Sequence, residues 1–405
     1  MLVQTYSIGD IGKVISGYAF KSKDFIYEAK DNVIPVIKIK NIGIGNLNQN
    51  DICFVNNSFL ELNEKYHVKK NDILISLTGS HINQPNSVVG RVARSQYEET
   101  FLLNQRAGKI IIDSKNNICD KDFLYYYLST EESKKKIINL AHGAANQANV
   151  SPKDIENIEI DVPNIKKQIK IAKILLSYDS LIENNLKRIK LLEESADLLY
   201  KEWFVNFKFP WYEKCEFVDG IPSDWSKTKV GEHTRFIKGK KPKIITETSN
   251  KNSVLYLLVD VLEGNNFLYT EDKKVPVAME NEVIMIMDGS RSGTIYKSMY
   301  GAIGSTMSII RIVDNHLQDE YLYYYLKLNE IHIKKNNTGS AIPHANKEFI
   351  KDMDILIPSQ YVIEKFSEYT RNISKQISVL KLQINKLKES RDILIPKLIM
   401  GEIEV

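Results

Sequence analysis

Apolar and polar positions along the chain change their period in one fixed order, and that order occurs twice. A strand-like apolar run ends in Gly-Ser in each half: NDILISLTGS at 71–80 and NEVIMIMDGS at 281–290. The pentapeptide LYYYL then follows, at Leu124–Leu128 and Leu322–Leu326, each time after an acidic residue, Asp122 or Glu320. Next comes a glycine turn, at Gly143 or Gly339, and an alternating stretch closing on proline, IENIEIDVP at 155–163 and IKDMDILIP at 350–358. Alternation at period two predicts half-buried strands. Beyond each proline the period lengthens to alternating steps of four and three, which is a heptad seam. The first seam is Ile171, Leu175, Tyr178, Ile182, Asn185, Ile189, Leu192, Ala196 and Leu199. The second is Phe366, Thr370, Ile373, Ile377, Leu380, Ile384, Leu387, Arg391 and Leu394, with Arg391 in the slot of Ala196.

Two amphipathic helices alone would share a heptad by chance. Strand, helix, turn, strand and seam recurring in one order are much harder to produce by accident. The unit is too long for a solenoid. The expectation is an α+β chain of two similar β-rich globules and two long helices, related by a pseudo-two-fold axis like a dimer fused into one chain. The predicted boundaries are a globule over 1–163, a helical region over 164–206, a linker over 207–220, a second globule over 221–358 and a helical region over 359–405. Two seams without other partners pair most economically with each other. The intervening globule lets the chain return in either direction; an antiparallel coiled coil, the expected arrangement, puts the globules at opposite ends of a rod. A helix of about 38 residues spans roughly 57 Å at about 1.5 Å per residue.

Composition limits the function. The 405 residues, 43% hydrophobic, can build two cores, and a formal net charge of +4 permits a nucleic-acid partner without demanding one. Cys53, Cys119 and Cys215 stand far apart with no metal-type spacing, which fits a reducing compartment. No signal-peptide pattern and no apolar run of membrane length occurs, so a cytoplasmic protein without membrane contact is expected. Phosphate-loop, dinucleotide-loop, nucleophile-elbow and amino-methyltransferase motifs are all missing. Gly43-Ile44-Gly45 is a lone GxG in an Asn-rich turn. Asp288 with Lys297 has a weak claim as a nuclease pair, and His142 and His344 read as polar loop residues. No catalytic residue, metal ligand or cofactor site is therefore expected.

Basic and polar loops do recur. The second half has RFIKGKKPK, with Arg235, Lys238, Lys240, Lys241 and Lys243 and no acid among them. The first has Tyr18, Lys21 and Lys23, then Lys38 and Lys40. The Gly-Ser turns supply Ser80, His81, Asn83, Gln84 and Arg91 in one half and Ser290, Arg291 and Ser292 in the other. Lysines reach phosphates, while Asn, Gln, Arg and Ser read base edges. For any one lysine a solvated surface is the simpler explanation; placement at matching points of two repeats favours double-stranded DNA. LYYYL reads as helix core.

Several segments carry a resemblance. GIPSDWSKTKVGE (220–232), KEWFVNFKFP (201–210), GYAFKS (17–22) and LIPKLIMGEIEV (394–405) resemble segments of the specificity subunits of type I restriction–modification enzymes. The likeness covers essentially the whole chain. It implies a non-catalytic subunit with two target-recognition domains, each reading half of a split DNA site, and helical regions that set the gap. It also implies two methyltransferase subunits, which supply S-adenosylmethionine chemistry, and two ATP-dependent restriction subunits. LLNQRAGKI (102–110) fits the family's Asn-Gln strand. The second copy reads AIGSTMSII (302–310), so a role for Asn104 and Gln105 does not carry over to Gly304 and Ser305, and the halves are expected to read different sequences. A different class remains, a stand-alone DNA-binding coiled-coil protein; apolar residues off the seam, Ile174, Leu181, Leu198, Leu356 and Ile357, weigh toward an enzyme partner. A self-contained nuclease would need a carboxylate cluster that the sequence lacks.

Overall fold

The computed structural model describes residues 3–79, 89–113, 117–143, 148–264, 266–339 and 342–405. The chain divides into two compact units, one of residues 1–184 with 383–405, the other of residues 185–382.

In the first unit the strands are β1 (Gln4–Ser7), β2 (Gly12–Ser16), β3 (Val33–Ile37), β4 (Gly45–Asn46), β5 (Cys53–Asn56), β6 (His67–Val68), β7 (Ile73–Ser76), β8 (Val92–Arg94), β9 (Phe101–Leu103) and β10 (Ala107–Ile112). Helices α1 (Lys121–Leu128) and α2 (Glu131–Asn139), strand β11 (Glu159–Val162) and the long helix α3 (Ile165–Tyr200) follow. One sheet has the order β2-β10-β7-β8-β4, a second β5-β3-β9-β6, and β1 pairs with β11. β7 is buried at all four positions, as expected of a strand covered on both faces, whereas β11 alternates exposed and buried.

The second unit takes part of α3 and adds β12 (Ser226–Lys229), β13 (Thr234–Lys238), β14 (Val254–Leu257), β15 (Tyr269–Thr270), β16 (Val277–Ala278), β17 (Val283–Ile286), β18 (Ile295–Lys297), β19 (Gly301–Ile303) and β20 (Met307–Ile312). Helix α4 (Asp319–Leu328), strand β21 (Asp354–Ile357) and helix α5 (Gln360–Ile399) complete the main elements. Its sheets run β13-β20-β17-β18 and β15-β14-β19-β16, with β12 paired to β21. Apart from the edge strand β4, this is the connection order of the first unit. The sheets β5-β3-β9-β6 and β15-β14-β19-β16 each hold one parallel pair at the same place, Leu102 against Val36 and Tyr256 against Ala302.

The LYYYL segments form the buried faces of α1 and α4. The side chain of Asp120 caps α1 by accepting the Phe123 N–H at 2.9 Å, satisfying a donor left free at the helix start. Buried tyrosines keep their hydroxyls bonded. Tyr125 donates to the Gly45 carbonyl at 2.7 Å, Tyr321 to that of Leu356 at 2.7 Å and Tyr325 to that of Asp354 at 2.6 Å. Removing a fully buried side chain such as Phe123 would cost about 3–5 kcal/mol.

Along α3 and α5 the expected seam positions are buried or half-buried and most of their flanks exposed. A π turn over Lys201–Val205 ends α3 and buries both Trp203 and Phe204. Within the second unit these rings meet Phe366, at 6.0 and 4.9 Å between centroids. The segment expected as a linker is packed at Phe209, whose ring lies 5.2 Å from that of Trp225. Leu356 and Ile357 are not off-seam helical residues: they belong to β21 and pack on the core of the second unit. Among the described residues no helix is long and apolar enough to cross a membrane.

Candidate nucleic-acid interface

In both units the basic loop begins where the backbone passes over the turn between two strands. After β2, Gly17 donates its N–H to the Ala107 carbonyl at 2.9 Å and Tyr18 to that of Leu103 at 2.7 Å. After β13, Gly239 donates to Met307 at 3.0 Å and Lys240 to Ile303 at 3.2 Å. A Cβ at Gly17 would lie 2.3 Å from the Leu103 carbonyl oxygen, and one at Gly239 would lie 2.2 Å from that of Gly304. Only glycine lets the chains cross so closely, and exposed lysines follow each crossing.

In the first unit Lys21, Lys23 and Lys40 are exposed. The Lys21 N–H is bonded by Asp24 at 2.8 Å, which shapes the turn and leaves the ammonium group free of that bond. Lys38 sits 3.4 Å from the centroid of the Phe25 ring, a cation–π contact that brings the 21–25 turn beside residues 38–40. Tyr18 is half-buried. Its ring packs among Phe20, Phe59 and Tyr66, with centroids 5.0–6.2 Å away. Arg91 lines a cavity of about 430 Å³ together with Tyr125, Glu131 and Arg391. Ser80, His81, Asn83 and Gln84 lie outside the described residues.

In the second unit Lys240, Lys241 and Lys243 are exposed around the buried Pro242, and the Lys243 N–H bonds Asp272 at 3.1 Å. Arg235 is exposed on β13, opposite Arg311 of β20, whose own charge is met by Glu282. Lys238 lies 3.6 Å from the Asp288 carboxylate, and the other oxygen of Asp288 bonds His344 Nδ1 at 2.8 Å. The structure thus assembles Lys238, Asp288 and His344 beside the lysine loop. Asp288 and Lys297, the weak nuclease pair, have different partners: Lys297 pairs with Glu320.

The Gly-Ser turn departs from the expectation at two positions. Arg291 is paired with Glu263 and with the Tyr296 hydroxyl, and its hydrogen bond holds the Glu263 carboxyl below the usual range. Ser292 is buried, and its hydroxyl accepts from the Asn337 amide at 2.7 Å. Ser290 remains exposed. Of this turn, then, Ser290 faces solvent, Arg291 is exposed and ion-paired, and Ser292 is buried.

Sequence reasoning missed a buried ion cluster in each unit. Arg94, at the end of β8, lies 4.7 Å from the Tyr125 ring centroid and bonds Asp122 and Asp179, both at 2.9 Å. Lys297, at the matching end of β18, lies 4.8 Å from the centroids of Tyr323 and Tyr324 and pairs with Glu320. Burial, opposed by Glu320, pulls the Lys297 pKa down. The central tyrosines of LYYYL are therefore also the walls of a cation cage. The one signal in the sequence was a charged Arg391 in a seam slot.

Comparisons with known proteins fit this arrangement. The family model of the type I restriction modification DNA specificity domain matches residues 2–194 and 222–389. The type I restriction enzyme MjaIX specificity subunit of Methanocaldococcus jannaschii is 24% identical over 422 residues, covering 98% of this chain and 96% of that protein. The HindI specificity subunit of Haemophilus influenzae is 22% identical over 490 residues, covering 98% and 99%. A crystal structure of a type I restriction–modification S subunit from M. genitalium shares the fold, with a TM-score of 0.58 at 18% identity over 98% of this chain and 96% of that one. The chain belongs to the family of type I restriction–modification DNA specificity subunits, the DNA-recognition and non-catalytic component of such systems.

Proposed function

We propose that each of the two units reads one half of a bipartite, asymmetric DNA site, and that the long helices pair as an antiparallel coiled coil whose length sets the unread gap. The observation that carries this reading is the repetition of one sheet order in two units, each with exposed lysines following a glycine crossing. Lys21, Lys23, Lys38 and Lys40 in one half, and Arg235, Lys238, Lys240, Lys241 and Lys243 in the other, contact phosphates. Ser290 and the Asp288–His344 pair face base edges, where a carboxylate can accept from a cytosine amino group. The loops differ in sequence, so the half-sites differ.

Support for the antiparallel pairing comes from side chains: Asp179 of α3 meets Arg391 of α5, while Trp203, just past the end of α3, meets Phe366, early on α5. The pseudo-two-fold relation between the units is part of the same proposal. The partners are two methyltransferase subunits and two ATP-dependent restriction subunits, and Leu181 and Leu198, 50% and 61% exposed, are apolar positions available to them. The protein works in the cytoplasm.

Methylome sequencing of cells with and without this gene, the methyltransferase gene being kept, tests the reading. The expected result is gene-dependent adenine methylation at two short unlike blocks a fixed distance apart. A continuous motif, or methylation independent of the gene, would overturn it.

A further inference from the structure

One carboxylate joins four elements of the first unit. Asp179 of α3, with a side chain 19% exposed, accepts the Arg94 guanidinium of β8 at 2.9 Å and the Tyr126 hydroxyl of α1 at 2.6 Å on Oδ2. Its Oδ1 accepts Arg391 of α5 at 2.7 Å. Arg94 is 13% exposed and reaches back to Asp122 at the start of α1. The sheet, α1 and both long helices therefore meet at Asp179 through directional, charge-assisted bonds. None of these residues belongs to the basic loops.

The second unit is joined differently. Residue 374 of α5 occupies the place of residue 179 in the aligned seams, and it is a serine. Lys297 bonds the Ser374 hydroxyl at 3.1 Å, while its ion pair is with Glu320 of α4, Asp197 of α3 acting on it only through space. The hydrogen bond from sheet to long helix is thus to a neutral hydroxyl, against ionic hydrogen bonds to Asp179 in the first unit.

We propose that Asp179 is a positioning residue for DNA reading: it locks the first unit's sheet and α1 to α3 and α5, and so fixes which spacer between half-sites the protein accepts. This rests on the split-site reading above. One base pair of added spacer shifts a half-site by about 3.4 Å and turns it by roughly 35° around the duplex. A domain held rigidly on its helices rejects that change, whereas a domain free to swivel absorbs part of it.

The test uses the full chain with its methyltransferase partner and duplexes carrying the methylated half-sites with the native spacer, one base pair less and one more. Wild type should prefer the native spacer by about tenfold, comparable to the cost of a mismatched base pair. Asp179→Asn should narrow the preference to about two- to threefold, with the half-site sequences unchanged. Because two arginines would then share fewer anions, a second variant copies the other unit's joint: Arg94→Lys with Asp122→Glu and Asp179→Ser. With Arg391→Ala added, since Ala196 fills that slot in the other seam, the net charge is unchanged and one cation faces one carboxylate in the cage; this variant should narrow the preference equally. If Asp179→Asn does not fold, the copied joint decides. A folded variant that keeps wild-type discrimination, or that loses affinity for all three spacers alike, overturns the proposal. Absence of spacer preference in wild type would instead overturn the split-site reading itself, and is seen in a separate arm.

Discussion

The two units share a sheet order but solve one electrostatic problem in opposite ways. At the start of α1, Lys121 reaches Asp72 at 3.3 Å, and Lys109 meets the same carboxylate at 3.4 Å. At the matching place in the second unit the acid is Glu282, which binds Arg311, but the helix supplies Asp319 instead of a lysine. Burial, reinforced by the negative charges of Glu282 and Glu320, pushes the Asp319 carboxyl up to about 6. The cation cage diverges as well. Arg94 has two carboxylate partners, whereas Lys297 has Glu320 as its carboxylate hydrogen-bond partner, the side chains of that pair being 17% and 3% exposed. The frame therefore tolerates charge reversal where the cluster as a whole stays paired, and the second unit carries the more precarious arrangement.

The largest expected effect comes from breaking the buried pair with one hydrogen-bonded carboxylate. Glu320→Gln leaves the buried Lys297 without its hydrogen-bonded anion, only the more remote charge of Asp197 remaining, and should destabilise the second unit by about 3 kcal/mol in chemical unfolding. Asp122→Asn, its counterpart, leaves Arg94 bonded to Asp179 and should cost only about 1 kcal/mol. Burial already lowers the Lys297 pKa. A lysine that binds fewer protons when folded gains stability as pH rises toward its unfolded value, so the Glu320→Gln deficit should shrink toward pH of about 10. Equal losses for the two variants would mean that the cages are equivalent.

A smaller effect, of opposite sign, is expected at Asp319. A carboxyl raised from 3.8 to about 6 binds more protons folded than unfolded between those values, so it costs stability as pH rises through that window. Asp319→Lys recreates the Lys121 arrangement and should stabilise the second unit by ~1–2 kcal/mol at neutral pH, allowing for partial exposure. The gain from removing the acid should disappear below pH of about 4. A flat difference across that range would contradict a raised carboxyl at this position.

Much of the frame was legible because period and punctuation act locally. The alternations ending at Pro163 and Pro358, the heptads beyond them and the apolar LYYYL faces all depend on residues a few positions apart. The glycines at 17 and 239 lay inside the segments read as basic loops, but their steric necessity comes from distant turns of the chain, at Leu103 and Gly304. The joints were not legible. Asp179 looks like a solvated residue of a helix until Arg94, Tyr126 and Arg391 converge on it, and no short-range pattern links those positions. Tyr18 and Ser292 show the same limit from the other side. A tyrosine beside lysines and a serine after an arginine suit DNA in sequence; the structure packs the half-buried tyrosine ring among other aromatic side chains and bonds the buried serine to Asn337.

The central claim is that the two units read separate halves of one site. The most direct measurement is hydroxyl-radical footprinting of a duplex bearing the methylated motif, with wild type and with Lys240, Lys241 and Lys243 changed together to Gln. All three lysines lie in the second unit, on an exposed loop. The expected result is protection weakened over one half-site and kept over the other, with the salt dependence of binding reduced by a slope of up to about 0.9 for each phosphate the variant no longer neutralises. Equal weakening of protection over both halves, or an unchanged footprint with the wild-type salt slope, would contradict it.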